Sequence, residues 1–130
     1  MQERETMREL NIGSKEHTVI HAVDEPSFGG ACHLYRVFGT KILKANLGMA
    51  NALMSEIQFQ YGPIKEHGVN GVHHEDLIAI VIDRLQCFQS GDYACNENKL
   101  AIDNLQLVLA QLSSRTDKRK AAGIEGTSKL

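Results

Sequence analysis

Two stretches in the second half of the chain repeat apolar residues at the three- and four-residue spacing of an amphipathic helix. Glu75 and Asp76 precede the first stretch, where the dipole of a helix N-terminus favours negative charge. The helical repeat then comprises Leu77, Ile78, Val81, Leu85 and Phe88. Ile80 and Ile82 widen this apolar arc, so we expect the first helix to pack against another subunit as well as against its neighbour in the chain.

The polar segment Ser90-Gly91-Asp92 separates the two stretches and predicts a turn, with Asp92 as the N-cap of a second helix. That helix is predicted from Tyr93 to about Ala122, because Gly123 stops it. At ~1.5 Å per residue it is about 45 Å long, more than one small domain needs to cover its own core. The pattern thus predicts a helical hairpin over about residues 72–123, followed by a polar tail over 124–130 that is loose unless it docks.

Apolar and β-branched residues in the first half of the chain predict an antiparallel sheet. His17–Val23 and Ala31–Phe38 form two strands around a loop that contains Pro and Gly. A third strand is indicated where Ile57, Phe59 and Tyr61 alternate with two glutamines.

The remaining segments are less regular. Residues 2–10 predict a short helix or a frayed arm, Lys41–Met54 a short helix or an irregular crossing, and Ile64–Val72 a loop. The predicted fold class is therefore α+β, a small N-terminal antiparallel sheet followed by a long helical hairpin. We expect residues 1–130 to form one domain, with the β-rich part over about 1–62.

Composition and charge limit the partners of the protein. Among 130 residues, 14 Lys and Arg face 16 Asp and Glu, so the chain has no general basic field for a nucleic acid polymer or an acidic membrane. No run of about 18 apolar residues predicts a membrane span, and the charged N-terminus does not resemble an export signal. The three cysteines lack the spacing of a disulfide framework or a zinc site, which favours a reducing cytosol.

One stripe along the second helix is apolar in its middle and polar at both ends. It comprises Ala94, Asn98, Ala101, Leu105, Val108, Leu112, Arg115 and Arg119. A covered polar group lowers stability unless it is paired, so Asn98, Arg115 and Arg119 either reach solvent or face a polar ligand. The ordinary alternative has the larger prior, because the helix dipole favours arginines in the last turns and asparagine is common near a helix start.

The length of the helix adds a geometric condition. Asn98 and Arg115 lie about 25 Å apart along one helix, too far to hold one small molecule together. The turn brings Phe88 close to Asn98, and in two hairpins packed antiparallel about a twofold axis these residues approach Arg115 and Arg119 of the other chain. An aromatic face, an amide and two guanidinium groups are the parts of a nucleotide site shared between subunits.

Other candidate chemistry is weaker. His73 and His74 lack an HExxH pattern, and surface or capping roles suit them better than metal binding. Cys87 and Cys95 flank the turn and are interpreted as buried small apolar residues rather than nucleophiles. No phosphate-loop pattern is present, and no general acid and base pair or metal cluster has a recognisable spacing. We therefore predict no catalytic residues, no metal site and no cofactor.

A family resemblance covers much of the chain. The runs FQYGPIKEHGVNGVHHEDLIAIVIDRL, FQSGDYACNEN and LSSRTDKRKAAGIEGT, between Phe59 and Thr127, resemble the hairpin domain of phage proteins that sequester cyclic-nucleotide immune signals. The first anti-Thoeris family is the more similar group, since its members carry a β-sheet before the hairpin. The related anti-CBASS cyclic-dinucleotide sponges are shorter in front of it. GGACHLYRV is weakly similar, with Cys32 where the family more often has a small polar residue.

The resemblance implies a non-catalytic sponge in the cytoplasm of an infected bacterial host. Such proteins bind a cyclic ADP-ribose isomer made by bacterial TIR enzymes, and some also bind cyclic di- or trinucleotides. It implies that Phe88 stacks on a base, that Asn98 reads a base edge, and that Arg115 and Arg119 bind phosphate. Lys65 is the candidate for a further basic contact. Family members form dimers, or hexamers built as trimers of dimers. The alternatives are a phosphodiesterase-like enzyme that uses the histidines and a purely structural oligomeric protein.

Overall fold

The structure is a computed structural model that describes residues 7–127. The chain divides into an N-terminal unit, which extends to Gly62 and includes Val69–Gly71, and a hairpin unit, which comprises Pro63–Gly68 and the chain from Val72 onward. The strands are β1 (Arg8–Glu9), β2 (Thr18–Ala22), β3 (Leu34–Gly39) and β4 (Leu53–Gln58). The helices are α1 (Thr40–Lys44), α2 (Met49–Ala52), α3 (Ile64–His67), α4 (His74–Gln89) and α5 (Asn96–Ala121). The α+β fold class is confirmed, whereas the single-domain organisation stays a prediction.

The four strands of the N-terminal unit form one antiparallel sheet in the order β1-β2-β3-β4. β-branched and aromatic residues, which suit a pleated and half-buried surface, occupy β2 and β3. The core of the unit includes Ala22, Val23, Phe38 and Ala52, each exposed by 3% or less. The two strands predicted at His17–Val23 and Ala31–Phe38 are therefore present. The first is one residue shorter at each end, and the second starts at Leu34 and extends to Gly39.

Two polar side chains hold the loops of the N-terminal unit. The Asp24 carboxylate accepts the backbone N–H of His33, at 3.0 and 2.9 Å to its two oxygens, and that of Leu34 at 2.9 Å. The Asn70 side chain bonds both backbone groups of Tyr61, each at 2.8 Å. These bonds satisfy backbone groups that the sheet leaves unpaired and fix both segments against it.

Several N-terminal segments differ from the prediction. Arg8–Glu9 pairs with β2 as a strand rather than forming a helix, and the part of that prediction over residues 2–6 lies outside the described residues. β4 covers Leu53–Gln58 and not the alternation up to Tyr61, because β3 begins at Leu34, the partner of Gln58. Gly48, with a φ of 90°, precedes α2 and separates it from α1 within the ambiguous Lys41–Met54 segment.

The hairpin unit is built on α4 and α5, which pack along one narrow seam. The covered residues recur every three or four positions, as expected for antiparallel helix packing. On α4 the seam comprises Ile78, Ile82, Leu85 and Gln89, and on α5 it comprises Asn98, Ile102, Leu105 and Leu109. Leu112, Thr116 and Arg119 continue the same partly covered stripe of α5 towards the tail. Ile82, 8% exposed, is the buried residue of α4, and no residue of α5 is buried.

The phase of this seam corrects the predicted stripe. After Leu105 the covered positions step by four to Leu109, so Val108 and Arg115 of the stripe lie on the exposed side of α5. The start of the helix also differs, because α5 begins at Asn96 with Cys95 rather than Asp92 at the N-cap position. The Cys95 N–H is held by the Gln89 side chain at 2.9 Å, which supplies the contact expected from Asp92.

The predicted loop Ile64–Val72 contains a short helix, α3, between Pro63 and Gly68. At the other end of the unit, α5 stops before Gly123, which has a φ of 71° and suits a helix C-terminus. The tail docks as far as Thr127, and its predicted residues 128–130 lie outside the described part. Within residues 7–127, no helix is both long and apolar enough to cross a membrane.

Two glycines give a matched test of packing. A Cβ on Gly71 would overlap the backbone carbonyl groups of Phe59 and Gln58, whereas a Cβ on Gly91 would meet open space. We expect Gly71→Ala to lower the free energy of unfolding by about 1–3 kcal/mol, because backbone cannot move aside as a flexible side chain does. Gly91→Ala should change it by less than about 1 kcal/mol. Urea unfolding measures both, and equal effects would contradict the close approach at Gly71.

Tyr35 gives a test of burial in the N-terminal unit. Burial raises the pKa of Tyr35 above its ordinary value of 10.0, and the nearby Cys32 raises this pKa further. Because the pKa of Tyr35 is raised in the folded state, Tyr35 contributes fully to stability at pH values below its unfolded-state pKa. This contribution is lost as the pH rises through the folded-state pKa. In a tyrosinate absorbance titration, the signal that Tyr35→Phe removes should therefore develop above pH ~10. A lost signal centred at or below that pH would contradict the burial of Tyr35.

Candidate functional site

Phe88 lies near the C-terminal end of α4, where the hairpin turns, and its side chain is 38% exposed. The Arg84 guanidinium carbon lies 5.4 Å from the centre of the Phe88 ring. Residues four apart on a helix are neighbours, and a guanidinium over an aromatic face is an attractive contact. The exposed part of the ring is thus bordered by a cation.

The turn adds a second ring and an amide beside Phe88. Tyr93, 78% exposed, lies with its ring centre 6.0 Å from that of Phe88 at an interplanar angle of 57°. Asn98, in the first turn of α5, donates from Nδ2 to the Tyr93 carbonyl at 3.1 Å. This bond uses one N–H of the amide, so Oδ1 as an acceptor and the second N–H of Nδ2 as a donor are the groups that Asn98 offers to a ligand. We call Arg84, Phe88, Tyr93 and Asn98 the turn cluster.

A shallow pocket lies near the opposite end of α5. It has a volume of about 440 Å³ and is lined by Gln111, Ser114, Arg115, Lys118 and Arg119. Three of the five side chains are cations, and guanidinium groups match the geometry of phosphate oxygens. We call these residues the basic pocket, whose chemistry suits an anion.

The two arginines of the basic pocket have different surroundings. Arg115 is exposed, whereas Arg119 is partly covered and donates from Nη2 to the carbonyl oxygens of Ile124 at 3.2 Å and Thr127 at 3.0 Å. Arg119 is therefore tied to the tail of its own chain, a contact that the sequence did not predict.

Lys65 belongs to the same end of the hairpin unit. Together with Lys120, Gly123 and Glu125 it lines a smaller pocket of about 160 Å³. Its backbone N–H donates to the Gly126 carbonyl at 3.1 Å, so α3 and the tail meet at this residue. Lys65 thus lies beside the C-terminal end of α5, on the segment before the hairpin.

Within one chain the predicted residues fall into two groups. The turn brings Phe88 and Asn98 together, and the far end of α5 holds Arg115 and Arg119, with Lys65 near Lys120. Asn98 and Arg115 remain about 25 Å apart along the helix. No single chain in the described structure therefore assembles all of these side chains around one small ligand.

Five neighbours of these groups were absent from the sequence prediction. Arg84 precedes Phe88 by four residues, a helical spacing that is visible in the sequence. Gln111 precedes Arg115 by four residues and Lys118 follows it by three, the same helical spacing, whereas Ser114 is its neighbour in the chain. Tyr93 was placed on the predicted helix, and its contact with Phe88 depends on the turn, which helical spacing does not encode.

The histidines and cysteines provide no second site of the same quality. In residues 7–127, no group of three or more His, Cys, Asp or Glu side chains is arranged to hold a metal ion. His73 lies at the N-cap position of α4, where its N–H donates to Asp76 at 2.9 Å.

The predicted burial of Cys87 and Cys95 is wrong, since both are exposed. Cys87 falls outside the seam of α4, and Cys95 lies in the turn.

Ser27, His33 and Asp24 lie close together in the N-terminal unit but do not form a proton relay. Ser27 Oγ lies 3.1 Å from His33 Nδ1, and Asp24 Oδ2 lies 3.7 Å from the same nitrogen. A serine nucleophile and its orienting carboxylate need the two different nitrogens of the imidazole ring. His33 is 8% exposed, and Asp24 accepts its backbone N–H, so this cluster holds the loop between β2 and β3.

Comparison with known proteins agrees with the hairpin architecture. The family model described as the Acb2/Tad1 hairpin domain matches residues 54–116. The chain is also similar to Thoeris anti-defense 1 of Bacillus phage SBSphiJ7, with 37% identity over 118 residues, which cover 91% of this chain and 82% of that protein. The similarity includes both the sheet and the hairpin, so the chain belongs to the family of Thoeris anti-defense 1, whose hairpin is the Acb2/Tad1 hairpin domain.

Proposed function

We propose that the protein is a non-catalytic sponge that binds cyclic nucleotide immune signals and thereby blocks bacterial anti-phage defence. The ligand we propose is a cyclic ADP-ribose isomer, with cyclic di- and trinucleotides as further ligands. Thoeris is the defence system expected from the related phage protein, and CBASS is a second target. The protein would act in the cytoplasm of the infected host, without a cofactor or a metal.

The observation that carries this proposal is the division of binding chemistry between the two ends of α5. The turn cluster offers an exposed ring for a base to stack on, and each such stacking contact contributes about 1–3 kcal/mol. Asn98 Oδ1 offers an acceptor to the base edge. The basic pocket offers cations to the phosphates, with Arg115 and Lys118 exposed. One ligand therefore needs both ends.

A second chain packed antiparallel about a twofold axis would join the two halves. Both helices leave large apolar side chains exposed, which a second copy would cover. They are Ile80 at 58%, Val81 at 45%, Leu100 at 51%, Leu107 at 59% and Val108 at 36%. A twofold dimer uses the same surface on both chains and creates two equal sites. We propose that homodimers of this kind are the binding species, alone or as trimers of dimers in a hexamer.

Sequestration without chemistry predicts that the ligand survives binding. A cyclic ADP-ribose isomer mixed with excess protein should disappear from the free pool and return intact after heat denaturation. The ligand is measured by filtration and mass spectrometry before and after heating. A linear or cleaved product would contradict the sponge and favour a phosphodiesterase-like enzyme, and no loss of free ligand would favour a purely structural oligomeric protein.

The shared site makes a prediction about mixed variants. Phe88→Ala and Arg115→Ala each remove one half of the site, and each should weaken binding on the order of tenfold or more. A mixed dimer of the two variants has one site with both defects and one site with neither. Co-refolded, differently tagged chains should therefore recover wild-type affinity at half of the sites, measured by titration calorimetry.

The matched control pairs two variants of the same half. Mixing Arg115→Ala with Lys118→Ala should restore no site, because each of the two sites then carries one basic-pocket defect. Mixing Phe88→Ala with Asn98→Ala should restore no site, since each dimer then has a defective turn cluster in both sites. If the Phe88→Ala and Arg115→Ala mixture also restores none, the site lies within one chain.

A further inference from the structure

The tail beyond α5 folds back on the helix and is held by the Arg119 side chain. Arg119 Nη2 donates to the carbonyl oxygens of Ile124 and Thr127, at 3.2 and 3.0 Å. The Thr127 hydroxyl and backbone N–H both donate to the Ile124 carbonyl. Residues 124–127 are partly covered by the rest of the chain. Residues 124–127 therefore form a small loop, which we call the tail loop, and two of its carbonyl oxygens accept hydrogen bonds from the Arg119 guanidinium.

The tail loop also forms a hydrogen bond with Lys65. The Lys65 N–H donates to the Gly126 carbonyl at 3.1 Å. A Cβ on Gly126 would meet Lys65 Cγ at 3.4 Å, and the φ of +76° at Gly126 disfavours any other residue. Arg119 and Lys65 are thus joined through a four-residue segment, although they are far apart in sequence.

Termination of α5 does not account for all of these contacts. A glycine C-cap needs only the first residues after the helix, here the Gly123 N–H to the Lys120 carbonyl and the Ile124 N–H to the Arg119 carbonyl. The bonds of Arg119 to Thr127 and of Lys65 to Gly126 lie beyond that cap. They involve the side chain of Arg119, which lines the basic pocket, and the backbone of Lys65.

We propose that Ile124–Thr127 is a positioning segment for phosphate recognition, which orients the Arg119 guanidinium towards the basic pocket and holds Lys65 beside it. A long cationic side chain loses rotamer freedom when it binds a ligand, and two fixed carbonyl acceptors restrict that freedom in advance. Arg115, which is exposed, does not depend on the segment. This inference rests on the proposed function, because it assigns the segment a role in the same site.

The first test needs no ligand. In Arg119→Ala, hydrogen exchange should become faster at the amides of Thr127 and Lys65, whose acceptors belong to the tail loop, while the amide of Leu109 in the middle of α5 serves as the internal control. Arg115→Ala is the matched variant and should leave these amides unchanged. Unchanged exchange at Thr127 and Lys65 in Arg119→Ala would overturn the proposal.

The second test measures affinity for a cyclic ADP-ribose isomer in a double-mutant cycle. Gly126→Val strains the tail loop without altering any charge and should weaken binding roughly tenfold in the wild-type background. In the Arg119→Ala background it should add a clearly smaller loss, the part that depends on Lys65, and in the Arg115→Ala background its full effect should persist. Thr127→Val should weaken binding in the same direction, and Thr127→Ser, which keeps the hydroxyl, should restore it.

The outcomes separate the two proposals. Wild-type protein that fails to bind the nucleotide overturns the proposed function, and the role of the segment in binding falls with it. Normal binding by Gly126→Val, or an equal loss in the Arg119→Ala and Arg115→Ala backgrounds, overturns the positioning segment while the sponge stands.

Discussion

The hairpin unit depends on one constraint, which is that two helices packed along a narrow seam leave several large apolar side chains exposed on each helix. Ile82 is the buried residue of α4, and α5 has none, although both helices carry several large apolar residues. Apolar burial is the dominant favourable contribution to folding, so a unit with this little burial needs further contacts. The exposed Ile80 and Leu107 illustrate the surface that a second copy of the chain would bury. In the proposed function, the contact between two chains covers this apolar surface and also completes the ligand site.

The lengths of the two helices independently support the proposed second chain beside the hairpin. α5 has 26 residues and α4 has 16, so α5 is ten residues longer than its partner. The additional length carries Arg115 and Arg119 beyond the region that α4 covers, on the order of 15 Å further along the axis. Cations at a helix C-terminus are also favoured by the helix dipole, which lowers the cost of collecting them there. The basic pocket thus lies on a helix end that extends past α4 and holds the tail of the chain.

The sequence predicted those parts of the fold that depend on local spacing. The hairpin, its turn and the strands β2 and β3 follow from periodicity and from glycine and proline positions, which act over a few residues. The phase of the α5 seam was missed after Leu105, because three- and four-residue steps are equally allowed until the packing partner selects one. β1 was missed because a two-residue strand has no pattern of its own and forms only where β2 offers its edge. The ligand-binding role of Phe88, Asn98, Lys65, Arg115 and Arg119 stays a prediction.

The contacts of Arg119 could not be predicted for a different reason. Its acceptors are backbone carbonyls, which every residue has, and their positions depend on the positive φ of Gly123 and Gly126. Sequence shows that those glycines permit a reversal of the chain, but it does not show where the reversal leads. A site shared between subunits adds a thermodynamic consequence to this geometry. In the proposed function, a ligand that contacts both chains binds the dimer and not the separated chains. It would therefore stabilise the dimer by mass action, and capture of the signal would also strengthen the assembly that captures it.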